Sequence, residues 1–290
     1  MSAPSVPPLP DGSVVEVPGR GQMFVRQAAG PAGAPTVLLL HGLSASADLN
    51  WFPSFGPLSR RYNVIAVDHR GHGRGIRSRR PFRLADCADD VAGLLDALGT
   101  GPVIATGYSM GGPISQLLWL RHRHHVRGLV LCATSTHFVR ARPGASVALN
   151  AMAGLSLAAT LTPEAVRRQL FDRLVSGRFE GSPLAQWATA EIRRGNPATI
   201  IQAASAVGRF DSRPWITQVD VPTAVVVTVH DRLVPPARQL RMAEAIPGAT
   251  VHRVAGDHGV CVTDPARFVP TLLNALASVA SRAEPARRTS

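Results

Sequence analysis

The sequence predicts an α/β protein: a mostly parallel eight-stranded sheet flanked by helices, interrupted by one all-helical insertion. Three observations lead there. Short β-branched runs alternate with longer stretches of helical periodicity, the alternation stops between about residues 135 and 213, and a strand pattern resumes after that gap. A parallel pair needs a crossover long enough to return the chain to the same sheet edge, and an amphipathic helix supplies it while covering a sheet face.

Strands are expected at 14–17, 23–27, 36–40, 62–67, 102–106, 128–132, 223–228 and 250–254, the first two as an antiparallel hairpin. Between them Leu84, Cys87, Val91, Leu94, Leu95 and Leu98 recur at spacings of three and four, an apolar helical stripe. Residues 110–120 and 268–276 read as two further helices. Within the insertion, helices are expected to begin near Ser146, Thr162, Ser182 and Pro197. Thr162 followed by Pro163 is a helix start, an N-cap and then a proline that lacks only an N–H the first turn cannot use. The expected division is a core of 1–134 and 214–290 with a helical cap of 135–213. The Pro-interrupted and polar ends, 1–10 and 281–290, are expected to be frayed.

Of the 290 residues, 45% are apolar and 17% charged, which fits a globular chain and excludes a disordered or coiled-coil one. The formal net charge is +12, from 31 basic and 19 acidic residues. There is no lysine, so every basic residue counted there is arginine, and GC-rich coding accounts for the excess as readily as a nucleic acid or anionic membrane does. No nucleic-acid partner is expected. Cys87, Cys132 and Cys261 are odd in number and far apart, so neither a disulfide framework nor a zinc site is indicated. The first ten residues lack the basic and apolar regions of a signal peptide, and no run of 18 apolar residues occurs. A cytoplasmic chain with no membrane span is the expectation.

The chemistry concentrates at a few loops. Gly107-Tyr108-Ser109-Met110-Gly111 follows the apolar run PVIAT and precedes the apolar run ISQLLWL. A serine on a tight turn between strand and helix is lifted clear of the sheet, and flanking glycines are needed because a side chain there would strike the neighbouring backbone. The bare pattern is weak, and a purely structural turn is its alternative; the strand-turn-helix setting is what gives it weight. His41-Gly42-Leu43 closes the strand TVLLL, and a backbone N–H there, with that of Met110, is placed to receive the oxygen that turns negative when an ester carbonyl is attacked. A plain strand-ending turn is the alternative.

A serine hydroxyl needs a base. Of the ten histidines, His122, His124 and His125 end the helix after Ser109, on the wrong side of the sheet, where a cation favours the helix C-terminus. His69 and His72 lie in a glycine-rich loop before the serine, and His252 inside a strand. His258 follows the last strand, at the same sheet edge as Ser109. The acid belongs on that edge too, between serine and histidine in sequence, and Asp231 after PTAVVVTVH qualifies. Asp257 adjoins His258, but sequence neighbours seldom aim at each other. Asp231 as a simple turn residue is the alternative.

Five motifs in order, LLLHG at 38–42, DHRGHG at 68–73, GYSMGG at 107–112, HDRLVPP at 230–236 and GDHG at 256–259, make the chain resemble the α/β-hydrolase superfamily from about Gly12 to Ala280, in particular its esterase and lipase-like members. The resemblance implies Leu43 and Met110 as the oxyanion donors. It departs at His230, where relatives often carry glycine, and in the arginines Arg74, Arg77, Arg79, Arg80 and Arg83, read as a solvated loop in preference to a site for an anionic substrate. The expected function is cofactor-free hydrolysis of a small-molecule carboxylic ester, with an apolar acyl group, by Ser109, His258 and Asp231. Val147, Leu149, Met152, Leu155, Leu157, Leu161, Leu170 and Leu174 either line its pocket or form the cap's own core. A perhydrolase or cofactor-free haloperoxidase, a carbon-carbon bond hydrolase, a thioesterase and an acyltransferase use the same triad. A ligand-binding receptor with slow turnover is the non-enzyme alternative.

Overall fold

The structure is a computed structural model that describes residues 6–138 and 184–283. The helices expected near Ser146 and Thr162, and the apolar residues from Val147 to Leu174, lie outside the described residues. β1 (Gly12–Val17), β2 (Gly21–Ala28), β3 (Thr36–Leu40), β4 (Asn63–Val67), β5 (Val103–Tyr108), β6 (Val126–Cys132), β7 (Thr223–Thr228) and β8 (Thr250–Val254) form one sheet in the order β1-β2-β4-β3-β5-β6-β7-β8. β1 pairs antiparallel with β2, and β2 antiparallel with β4. All other neighbours are parallel.

Parallel strands covered on both faces cannot alternate apolar and polar residues, which explains the unbroken runs TVLLL and TAVVVT. Their alternate side chains feed two cores. Leu38 and Leu40 pack with α3 (Leu84–Ala97), α4 (Gly111–Arg121) and α7 (Pro236–Ala245) through Leu94, Leu95, Ile114, Leu118 and Met242. Val37 and Leu39 pack on the opposite face with α1 (Ala47–Trp51), α2 (Phe55–Ser59) and α9 (Pro265–Ala283) through Trp51, Leu58, Phe268 and Leu272. Edge strand β8 shows only a partial pattern, with Val251 exposed.

Among the described residues of the segment 135–213 are α5 (Ala185–Arg193) and α6 (Pro197–Arg209), and the short α8 (Val260–Thr263) follows β8. α6 begins where the sequence places it, with the Asn196 side chain accepting from the Thr199 N–H ahead of Pro197. The chain leaves the sheet after β6 and returns beside the same point, since the Ser212 N–H donates to the Thr136 carbonyl at 2.9 Å. The Asn196 N–H reaches the Gly71 carbonyl, and the Gln202 side chain accepts from the Phe82 N–H, both at 2.8 Å, so α5 and α6 are fastened to the loop after β4.

β5 continues two residues past the expected 102–106, because Gly107 and Tyr108 still pair with Leu131 and Cys132. α9 is longer than the expected 268–276 at both ends. Cys87, Cys132 and Cys261 are buried and unpaired. Among the described residues no helix is long and apolar enough to cross a membrane.

Candidate active site

Ser109 sits between the end of β5 and the start of α4 with φ of 51°, a left-handed conformation rare for a residue with a side chain. Such strain costs about 1–3 kcal/mol and persists only where the surroundings enforce it. Here they do. A Cβ on Gly107 would lie 2.2 Å from the Gly111 carbonyl oxygen, and one on Gly111 would lie 2.1 Å from that of Leu40. Glycine at both positions lets helix and strand close on the turn. The Ser109 N–H then donates to Cys132, and its carbonyl accepts from Gly112, each at 2.9 Å.

The structure brings the sequence-predicted triad residues into one hydrogen-bonded chain. His258 Nε2 lies 2.9 Å from Ser109 Oγ, and His258 Nδ1 lies 2.7 Å from Asp231 Oδ2. Asp231 is buried at the end of β7 and also accepts from the Thr228 hydroxyl and the Leu233 and Val234 N–H groups, all at 2.8 Å. Burial alone would raise its carboxyl; His258, the Val234 N–H and the Thr228 hydroxyl outweigh that and hold it below the usual carboxylate range. An acceptor that stays ionised favours the proton on Nδ1 and leaves the Nε2 lone pair toward the serine. Asp257 is exposed and takes the Gly259 N–H at 2.8 Å.

Leu43 and Met110 both line the cavity beside Ser109, and among the described residues neither backbone N–H has a hydrogen-bond partner. Gly42 lets the two segments approach, since a Cβ there would be 3.3 Å from the Ser109 Cβ. Three supporting residues were not visible in the sequence. The Tyr108 hydroxyl donates to the His258 carbonyl at 2.8 Å, Asn50 Oδ1 accepts from the Gly42 N–H at 3.0 Å, and Gln239 donates to Thr228 Oγ1 at 2.8 Å and to the Val234 carbonyl at 2.7 Å.

The cavity over Ser109 measures about 820 Å³. Leu43, Leu49, Phe138, Ile192, Val207 and Val234 supply apolar walls, so both helices of the described insertion reach it. His230 lines it as well. Arg79, Arg80 and Arg83 are exposed, whereas Arg77 donates to the Gly73 carbonyl at 2.5 Å and the Arg194 carbonyl at 2.7 Å, and Arg74 turns inward to Asp48 at 3.1 Å and Glu191 at 2.9 Å. His122 pairs with Asp89 at 2.8 Å, away from the triad. Among the described residues one group could share a metal, Asp96, His124 and His125, with ligand atoms within 4.8 Å of one another. It lies before β6, at the opposite sheet edge from Ser109, and two of its three members are exposed.

A sheet of this order, with a strained serine at the turn after β5 and an acid and a histidine in the loops after β7 and β8, defines the α/β-hydrolase class, and the chain belongs to it: the alpha/beta hydrolase fold family model matches residues 35–265. Over 251 residues the chain is 30% identical to the putative carbamate hydrolase RutD of Caulobacter vibrioides (strain NA1000 / CB15N), covering 84% of this chain and 91% of that protein. Among solved structures it is similar to a hydrolase from Pseudomonas aeruginosa PA01, with TM-score 0.76 at 24% identity, covering 92% of this chain and 98% of that one. It is also similar to a thermophilic esterase from Thermogutta terrifontis, with TM-score 0.75 at 23% identity, covering 93% and 99%.

Proposed function

We propose that the chain is a serine hydrolase that cleaves a carboxylic ester with an apolar acyl group through a covalent acyl-enzyme. The observation that carries this is the continuous chain from Ser109 Oγ through the His258 ring to Asp231. His258 Nε2 takes the hydroxyl proton as Ser109 Oγ bonds to the carbonyl carbon, and the Leu43 and Met110 N–H groups receive the oxygen that becomes negative. The tetrahedral intermediate collapses, His258 returns the proton to the leaving alcohol, and water repeats the sequence to free the acid. Asp231 holds the ring in the tautomer this requires. The segment 135–213 acts as a cap that shapes the acyl pocket, a reading supported by Ile192 and Val207 in the cavity wall.

A second reading is carbamate hydrolysis, which the 30% identical relative's name favours and which uses the same attack on a carbonyl carbon. Wild-type protein treated with a fluorophosphonate should be labelled at Ser109, and Ser109→Ala should be neither labelled nor active. Labelling at another serine with esterase activity intact would overturn the assignment. A panel of p-nitrophenyl esters and N-substituted carbamates of matched length then separates the two readings by kcat/KM.

A further inference from the structure

Glu191 is a carboxylate only 2% exposed, on helix α5 of the insertion, and it takes no part in the chemistry proposed above. Its Oε2 accepts from Ser46 Oγ at 3.0 Å, and its Oε1 accepts from Arg74 Nη2 and Arg194 Nε, both at 2.9 Å. Ser46 is no ordinary surface hydroxyl. It is fully buried, it caps α1 by accepting from the Leu49 N–H at 3.1 Å, and it ends the segment 41–46 that carries the Leu43 N–H.

That segment is held under strain. Ser44 has φ of 60°, in the left-handed region, and the Ala45 N–H closes back on the Gly42 carbonyl at 3.3 Å. Its near end is fixed by Asn50 on the Gly42 N–H, and its far end by the Ser46 hydroxyl on Glu191. Arg74 backs the far tie, because it also donates to Asp48 at 3.1 Å while its own N–H reaches Asp68 at 2.7 Å. A buried carboxylate with three donors is held tightly, and what it holds is the loop that must present an N–H within a few tenths of an ångström of the developing oxyanion.

We infer that Glu191 is a positioning residue for the oxyanion hole: by binding Ser46 from the inserted helix, it lets the placement of α5 set the geometry of the Leu43 N–H. This rests on the serine-hydrolase reading above and adds to it a coupling between the insertion and the catalytic rate. Displacing an oxyanion donor without removing it lowers the rate by about 10- to 100-fold, and because the donor acts on the transition state, kcat falls while KM changes little.

The test uses the full chain. Glu191→Gln keeps the volume but removes the charge that holds Ser46, Arg74 and Arg194 together, and Glu191→Asp keeps the charge. The expected result is a kcat loss of about 10- to 100-fold in Glu191→Gln with KM within about threefold, a parallel loss of affinity for a trifluoromethyl ketone analogue of the transition state, and partial recovery in Glu191→Asp. Gln202→Ala, which cuts the hydrogen bond from the Phe82 N–H to α6 and leaves Ser46 untouched, is the control for simple loosening of the insertion. It should leave kcat near wild type. Equal losses in Gln202→Ala and Glu191→Gln, or unchanged kcat in Glu191→Gln, would overturn the inference. If Glu191→Gln does not fold, Ser46→Ala carries the same test from the loop side. Fluorophosphonate labelling of wild-type Ser109 separates the two levels: absent labelling refutes the serine-hydrolase reading, whereas present labelling with unaltered kcat in the variants refutes only the role of Glu191.

Discussion

At the level of single residues, two aspartates compete for one histidine, and hydrogen bonding decides between them. Asp257 is nearer in sequence, but its exposed carboxylate takes the Gly259 N–H; Asp231, 27 residues earlier, lies 2.7 Å from the ring. Asp231→Asn should fold, because its other partners are N–H and hydroxyl donors, yet lose about 10³–10⁴ in kcat, since an amide no longer fixes the ring tautomer. Asp257→Asn should change kcat by less than about threefold. Reversal of the two in steady-state assays of purified protein would reassign the acid. The serine and this acid were legible in sequence because each follows an apolar strand run, and the histidine because its loop follows the last strand at the same edge. Tyr108, Asn50, Gln239 and Glu191 were not. Their partners are 150, 8, 11 and 145 positions away, in segments whose approach depends on the finished sheet.

Helices were legible in proportion to their length. α3 announces itself by an apolar stripe over 14 residues, and Pro197 by its cap, whereas α1 and α2, of five residues each, are too short to show a 3.6-residue period. The same distinction bears on specificity. α5 and α6 place Ile192 and Val207 in the cavity wall, close to the proposed acyl site but outside the triad. Enlarging either, as Ile192→Trp or Val207→Trp, should remove volume from the pocket and shift preference toward shorter esters. A methylene in an apolar pocket is worth about 1–3 kcal/mol, so kcat/KM for the excluded chain lengths should drop roughly tenfold or more per step while acetate esters keep their rate. A uniform loss across all lengths would place the two residues elsewhere in the mechanism.

For the whole molecule, the parallel sheet and its order of functional loops follow from the alternation of runs, but the polar contents of its interior do not. His41, His69 and His72 are buried against one another beneath the loop that carries Leu43, with the His41 and His69 ring centroids 4.3 Å apart. Burial, with the neighbouring His72, pushes His69 down to about 3; burial pushes His72 down to about 4; burial and the other two rings push His41 well down. Asp68 beside them moves the opposite way, raised to about 6 by burial against the N–H groups of Arg74 and Ala47. The signs oppose. A histidine neutral when folded and ordinary when unfolded takes up a proton on unfolding between its folded value and 6.5, so its stability is complete above pH 6.5 and is lost as pH falls. Asp68 releases a proton on unfolding between 3.8 and about 6, so its contribution improves over that range as pH falls. The histidines outnumber this one raised carboxylate, so the balance near pH 5 is a net uptake of protons on unfolding, and stability falls as the solution is acidified. Urea unfolding midpoints measured from pH 7 to pH 4.5 should therefore fall steadily below pH 6.5. Stability that stayed level or rose across that interval would mean that Asp68 outweighs the histidines, or that the three rings are solvated in the folded protein.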